Sequence, residues 1–144
     1  SSNGASVRTD NGATSNPYTY SAYVNTTSAS NPGAGFAFGV QSESSSFDGY
    51  AVIPRDANNN VVLTEISDGS RNSYEYWNSG LSTNQFYKIE CGFNSSNEIF
   101  VEAYDLNDNL QFSHSWAPPT KYTGGGYGVW LDGGGIIVDY IELL

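Results

Sequence analysis

The chain has one cysteine, one histidine, no methionine and five basic residues among 144. Cys91 standing alone excludes an intramolecular disulfide and any cysteine-rich zinc site. A disulfide-dense secreted module is therefore not expected, whereas an exported protein without disulfides is. Fifteen acidic residues against five basic ones give a formal net charge of −10 and a pI of about 4.1. That balance works against nucleic acid or an anionic membrane as partner. Neutral ligands and divalent cations are both compatible with it. The charged fraction, 14%, is too low for a salt-adapted cytosolic protein. No apolar run is long enough to span a bilayer as a helix, so membrane insertion is not expected. No segment reads as a signal peptide, and the sequence suits a mature chain or a fragment equally. Leucine is sparse and no segment keeps a 3.6-residue period, which argues against helices.

What remains is strand and turn chemistry. Aromatics make up 15% of the chain, with eleven tyrosines and sixteen glycines. Short alternating runs recur between turn signals. They include YTYSAYVN (18–25), GFAFGVQ (35–41), GYAVIPR (49–55), VVLTEI (61–66), SYEYW (73–77), FYKIECGF (86–93), EIFVEAYD (98–105), LQFSHSW (110–116) and GYGVWLDG (126–133). The turns DANNN, NSSN and LNDN pair several of them into hairpins. About ten short strands at this spacing predict an all-β, antiparallel two-sheet sandwich. Residues 1–15 read as a linker remnant or a first weak strand near Ala5–Thr9, and residues 16–144 as the sandwich domain.

The two-residue period assigns faces. Tyr87, Ile89, Cys91 and Phe93 share an inward face, as do Ile99, Val101 and Ala103, and Phe36, Phe38 and Val40. Tyr127, Val129 and Leu131 go inward, which sends Gly128, Trp130 and Asp132 outward beside Ala37, Gly39 and Gln41. Arg55, Glu65, Lys88, Glu90 and Glu102 are also read as outward. Small residues beside a tryptophan and acids describe a shallow groove on an exposed face.

The succession GFAFGV, DGYAVIPRDANNNVVLTEISDG, QFYKIECGFNSSNEIFVEAYDLNDN, GGGYGVWLDGG and IIVDYIEL resembles the concanavalin A-like lectin/glucanase sandwich. More narrowly it is similar to carbohydrate-binding modules of family 66 and to the domain of 3-keto-disaccharide hydrolases. The resemblance covers roughly residues 18–143. It implies a jelly-roll whose concave sheet binds a glycan, and often one structural Ca²⁺. Phe86 stands where the family has a tryptophan, and Trp130 where it has a bulky polar residue, so the sugar does not carry over.

The expected function is non-catalytic carbohydrate binding by an exported module, an appendage of a carbohydrate-active enzyme. Its partner would be a polysaccharide, with further domains of a larger secreted protein alongside. Trp130 is the expected stacking platform, because an indole matches the apolar face of a pyranose. Asp132, Arg55 and Glu65 are the expected hydrogen-bonding groups, and Trp77 and Tyr76 the expected rim. The alternatives are a glycoside hydrolase or lyase, and a structural domain of an adhesin, surface layer or filament. Glu65/Asp68 and Glu102/Asp105 have an odd spacing that splits their carboxylates between faces; a pair from different strands, such as Glu65 with Glu90, stays open. The acidic turns 56–60 and 105–109 carry oxygens of the kind calcium takes, without an EF-hand pattern.

Overall fold

A computed structural model describes residues 4–144. Eleven strands make up the described chain: β1 (Gly4–Ala13), β2 (Tyr18–Ser28), β3 (Gly33–Val40), β4 (Gly49–Ile53), β5 (Asn60–Ser67), β6 (Ser70–Asn78), β7 (Phe86–Phe93), β8 (Ile99–Tyr104), β9 (Leu110–Trp116), β10 (Gly125–Asp132) and β11 (Gly135–Leu143). They form a six-stranded sheet in the order β1-β10-β3-β4-β5-β6 and a five-stranded sheet in the order β11-β2-β7-β8-β9. Every pairing is antiparallel. This is the two-sheet sandwich that the alternation predicts. The strand expected near Ala5–Thr9 lies within β1; the first three residues of the expected linker lie outside the described residues.

The inward faces meet as the patterns require. Tyr20, Ala22 and Val24 of β2, Ile89, Cys91 and Phe93 of β7, and Ile99, Val101 and Ala103 of β8 pack against Phe36 and Phe38 of β3, Tyr50 and Val52 of β4, and Val61 and Leu63 of β5. Burying a hydroxyl is costly unless it is bonded. The Tyr20 hydroxyl accepts the Ala13 N–H at 3.0 Å and donates to the Gly125 carbonyl at 2.7 Å. The Tyr50 hydroxyl does the same between Tyr122 N–H and Thr120 C=O, at 2.8 and 2.6 Å. These rings fasten the segments flanking β10 onto the core. At one margin of the sandwich Trp77 of β6 stacks on His114 of β9, with ring centroids 4.4 Å apart and planes parallel within 1°.

Three hairpin loops repeat one device. In 56–60, 94–98 and 105–109 the first side chain, Asp56, Asn94 or Asp105, accepts the N–H groups two and four residues on, all at 2.9–3.0 Å. The fourth residue, Asn59, Asn97 or Asp108, has φ near +60°. Asn and Asp tolerate that left-handed backbone and close such loops locally. Their acid and amide content is thereby explained as turn chemistry.

Two inward assignments change: Leu131, near the end of β10, is exposed, and Val40 turns to the other face of its sheet. Gly39 sits at a bulge with φ +60°, and the register of β3 with β10 shifts there. An extra residue in one strand reverses the faces beyond it, so Val40 joins a cluster on the opposite side of the sheet from Phe36 and Phe38.

Candidate functional site

The outer face of the six-stranded sheet carries the small residues foreseen: Ala37, Ala51 and Gly128 lie in register across β3, β4 and β10. The groove they outline is filled from within. Trp130 points away from the core between the sheets, as alternation requires, but is 0% exposed. Its indole belongs to a second apolar cluster with Ala37, Val40, Phe47, Ala51, Ile53, Val62 and Ile66. Its Nε1–H donates to the Gly69 carbonyl at 2.9 Å. The connection between β3 and β4 carries Phe47 into this cluster, and its backbone is tied down by Gly69 N–H to Phe47 C=O at 3.0 Å and by Asp68 N–H to the Asp48 carboxylate at 2.9 Å. Glu43 of the same connection accepts from the Thr9 N–H and hydroxyl of β1. The expectation that Trp130 is an open stacking platform is therefore corrected: the indole is a core residue of the outer layer.

The other expected site residues part company. Glu65 was read as outward, yet it pairs with Tyr50 on the inner side of the sheet and is 2% exposed. Its two oxygens accept from Thr120 N–H at 2.8 Å and Asn72 Nδ2 at 2.9 Å, so it holds the 117–124 segment in place. Arg55 donates Nη1 to the Leu81 carbonyl and turns its Nε into the protein. Asp132 is half-buried opposite Gly33 and lines none of the clefts. Trp77 faces inward onto the core and His114. Tyr76 alone of the six stands open, 54% exposed.

Tyr76 marks the cleft that the structure does assemble. Tyr74 and Tyr76 of β6 pair across to Thr64 and Val62 of β5, on the outer face. Their rings lie 6.3 Å apart, tilted by 34°. Arg71 shares this face, although three residues from Tyr74 should place it opposite. A register shift between Thr64 and Ile66 supplies the reversal and seats Arg71 across from Ile66. The guanidinium then lies 4.1 Å from the centre of the Tyr74 ring. The β4–β5 turn folds Asp56, Asn58 and Asn60 against the tyrosines, and Asn31 closes the far wall. The enclosed space is about 240 Å³. Such a site offers aromatic faces, amide donors and acceptors, and one cation. Arg71 and Asn31 escaped the sequence reading, and Asn58 and Asn60 entered it only as part of the acidic turn 56–60. Only the Asp68-Gly69 turn signal and the odd Arg71/Tyr74 spacing hint at the bulge that unites the first with the tyrosines.

Two further depressions lie on the five-stranded sheet. One, about 330 Å³, is lined by Phe100, Glu102, Ser113 and Ser115. The other, about 470 Å³, is walled by Tyr23, Phe86, Leu106, Asp139 and Tyr140. Glu90 and Glu102 are cross-strand partners on this sheet, and Glu102 also accepts the Tyr104 hydroxyl at 3.1 Å. Glu65 and Glu90 sit in different sheets and are not brought together. No group of three or more His, Cys, Asp or Glu side chains is placed to hold a metal among the described residues. Asp56 and Asp105 each spend an oxygen on their own backbone.

No protein-family model matches the chain, and no curated protein sequence matches it significantly. Solved structures do match its fold. The carbohydrate-binding module CBM66 from Bacillus subtilis superposes with a TM-score of 0.70 at 14% identity, covering 99% of this chain and 83% of that one. Chicken galectin 2 gives 0.66 at 12%, covering 97% and 99%. CG-16, a homodimeric agglutinin from chicken liver, gives 0.62 at 16%, covering 96% and 98%. The chain thus has a lectin-like β-sandwich fold.

Proposed function

We propose that this domain binds carbohydrate without transforming it, and that the β6 cleft is where a sugar residue docks. The observation that carries this is the pair of exposed tyrosines, Tyr74 and Tyr76, beside Arg71 and the amides of Asn58 and Asn60 on one strand face. A pyranose presents an apolar face to a ring and hydroxyls to its edges, and this wall answers both needs. The similarity in fold to a carbohydrate-binding module and to galectins supports the reading. Little area is buried in so shallow a site and hydroxyls exchange water for protein, so affinity is weak, on the order of 10⁻⁴ M. We place the domain in an exported protein, where polymeric glycan is met and where a chain needing no disulfide also folds.

Calorimetric titration against a glycan panel tests the site. Tyr76→Ala is expected to lose binding about tenfold or more, since stacking on an exposed aromatic is the main apolar contact. Binding by Tyr76→Ala at full strength removes this cleft from consideration.

A hydrolase reading has one observation in its favour, the facing of Glu90 and Glu102. Cross-strand neighbours have Cβ atoms about 5 Å apart, and retaining glycosidases hold two carboxyls at about that separation. Release of reducing sugar from a bound glycan, abolished in Glu102→Gln, would establish it in place of simple binding.

A further inference from the structure

Resting on the glycan-binding reading, we propose that the β6 cleft selects a sugar bearing a carboxylate, a hexuronate, with Arg71 as the selecting residue. The argument begins with where the five basic side chains go. Arg8 is paired with Asp10 at 3.4 Å, and Lys88 with Asp108 at 3.0 Å. Lys121 donates to the Pro118 carbonyl at 3.0 Å, and Arg55 to that of Leu81. Arg71 has no carboxylate within 4.0 Å among the described residues, and its guanidinium lies on the face of Tyr74. In a chain with fifteen acids, a guanidinium left without one on the wall of a cleft is available to an acid from outside.

The stack also fixes how it is offered. A guanidinium lying on a ring keeps its N–H groups at its edge, in a planar fork that matches a carboxylate in two parallel hydrogen bonds. Part of the side chain's rotamer freedom is already spent on Tyr74, which lowers the cost of ordering it on binding. The opposing charge in the cleft is Asp56 of the β4–β5 turn. It is 4% exposed and one of its oxygens accepts two backbone N–H groups, so it faces its own loop. Tyr76 remains as the platform for the ring of the sugar, and Asn58 and Asn60 for its hydroxyls. The net charge of −10 adds a restriction. A dense run of uronates would lay many like charges along an acidic surface, whereas one terminal or isolated uronate meets Arg71 alone.

Nuclear magnetic resonance titration of the labelled full chain with matched sugar pairs tests this. The probes are methyl glucuronide against methyl glucoside, methyl galacturonide against methyl galactoside, and the corresponding sugar sulfates. Each is run at about 20 and about 300 mM salt, on either side of substantial screening. The expected result is at least one uronide binding about tenfold tighter than its neutral partner, a typical gain for a charge-assisted pair. The perturbed signals would centre on Arg71, Tyr74 and Tyr76, and the preference would shrink at the higher salt. In Arg71→Gln the ratio should fall close to one, and Arg71→Lys should restore part of it. A well-dispersed spectrum for each variant verifies its fold. Equal binding of acid and neutral partners at the cleft overturns uronate selection and leaves the glycan reading standing. Sulfates binding as tightly as uronides overturn it in favour of a general anion site. A preference that survives Arg71→Gln overturns the role of Arg71. Silence of the cleft toward every probe overturns both this inference and the glycan reading.

Discussion

Replacing Trp130 by alanine separates a structural indole from a ligand platform. The side chain is wholly buried among Ala37, Phe47, Ala51, Val62 and Ile66, and its Nε1–H is bonded to Gly69 C=O at 2.9 Å. Emptying that space costs the transfer of a large aromatic plus the cavity it leaves, about 3–5 kcal/mol. Roughly 1 kcal/mol of this belongs to the lost hydrogen bond. A domain of this size is stable by about 5–15 kcal/mol, so the variant is left near the edge of folding. Trp130→Phe keeps most of the apolar volume and loses the N–H, and is expected to cost about 1–2 kcal/mol. Urea unfolding followed by circular dichroism measures both, with an unchanged slope confirming that the two-state comparison holds. In the folded Trp130→Phe protein, glycan affinity should match wild type, because the β6 cleft does not include residue 130. A loss below about 1 kcal/mol in Trp130→Ala, outside the range for buried aromatics, would refute the outer core. Abolished glycan binding in a stable Trp130→Phe would return the indole to the ligand.

Tyr76→Ala should do the reverse, weakening glycan binding while shifting stability by about 0.5 kcal/mol or less, as for an open surface residue; the same titration and urea curve read both. His114 is pushed below the usual histidine pKa by burial against Trp77 and Phe112. A depressed folded pKa gives stability that is complete above the unfolded value of about 6.5 and is lost as pH falls below it. His114→Phe should therefore lessen the fall in stability as the pH drops below about 6.5; an unchanged slope there would show that this ring does not cause it. Burial raises the pKa of Tyr18, Tyr20 and Tyr50. Their contribution is complete below the unfolded tyrosine pKa of about 10 and is lost above it, so a late phase of phenolate absorbance, after that of exposed rings such as Tyr76 and Tyr140, should coincide with unfolding as the pH is raised past that value. Phenolate absorbance of these three rings in a protein that stays folded would contradict it.

The two-layer architecture was legible because inward faces of β2, β7 and β8 keep a two-residue period, with Thr26 as the polar exception on β2. Turn chemistry was legible for the same local reason: Asp56, Asn94 and Asp105 each satisfy backbone within four residues of themselves. The face of Trp130 was also read correctly. Its burial was not, because what covers it comes from far along the chain, from Phe47 and from the Asp68-Gly69 turn. Alternation reports direction and carries no information about a lid. The misplaced face of Val40 and the overlooked Arg71 trace to bulges in β3 and β6, whereas Glu65 follows the regular alternation of β5, inward with Val61 and Leu63. A single extra residue inverts every assignment beyond it.

The covered centre and the open rim are two consequences of one constraint. A strip of Ala and Gly on a sheet face exposes backbone and offers few atoms for contact, so a protein either binds something there or supplies its own filling. Here Trp130 and Phe47 do the filling, and the face near β3 and β4 becomes a second core. The open cleft to which we assign ligand binding lies toward β6, the last strand of the sheet, where no further strand adds side chains on one flank. That strand is mostly polar and its tyrosines stay exposed, which would be wasteful packing for a core element. The bulge completes the arrangement by turning Arg71 onto Tyr74 rather than to the other layer. On the proposed reading, stability and recognition fall to neighbouring parts of a single sheet face, which is why replacing Trp130 and replacing Tyr76 are expected to produce opposite phenotypes.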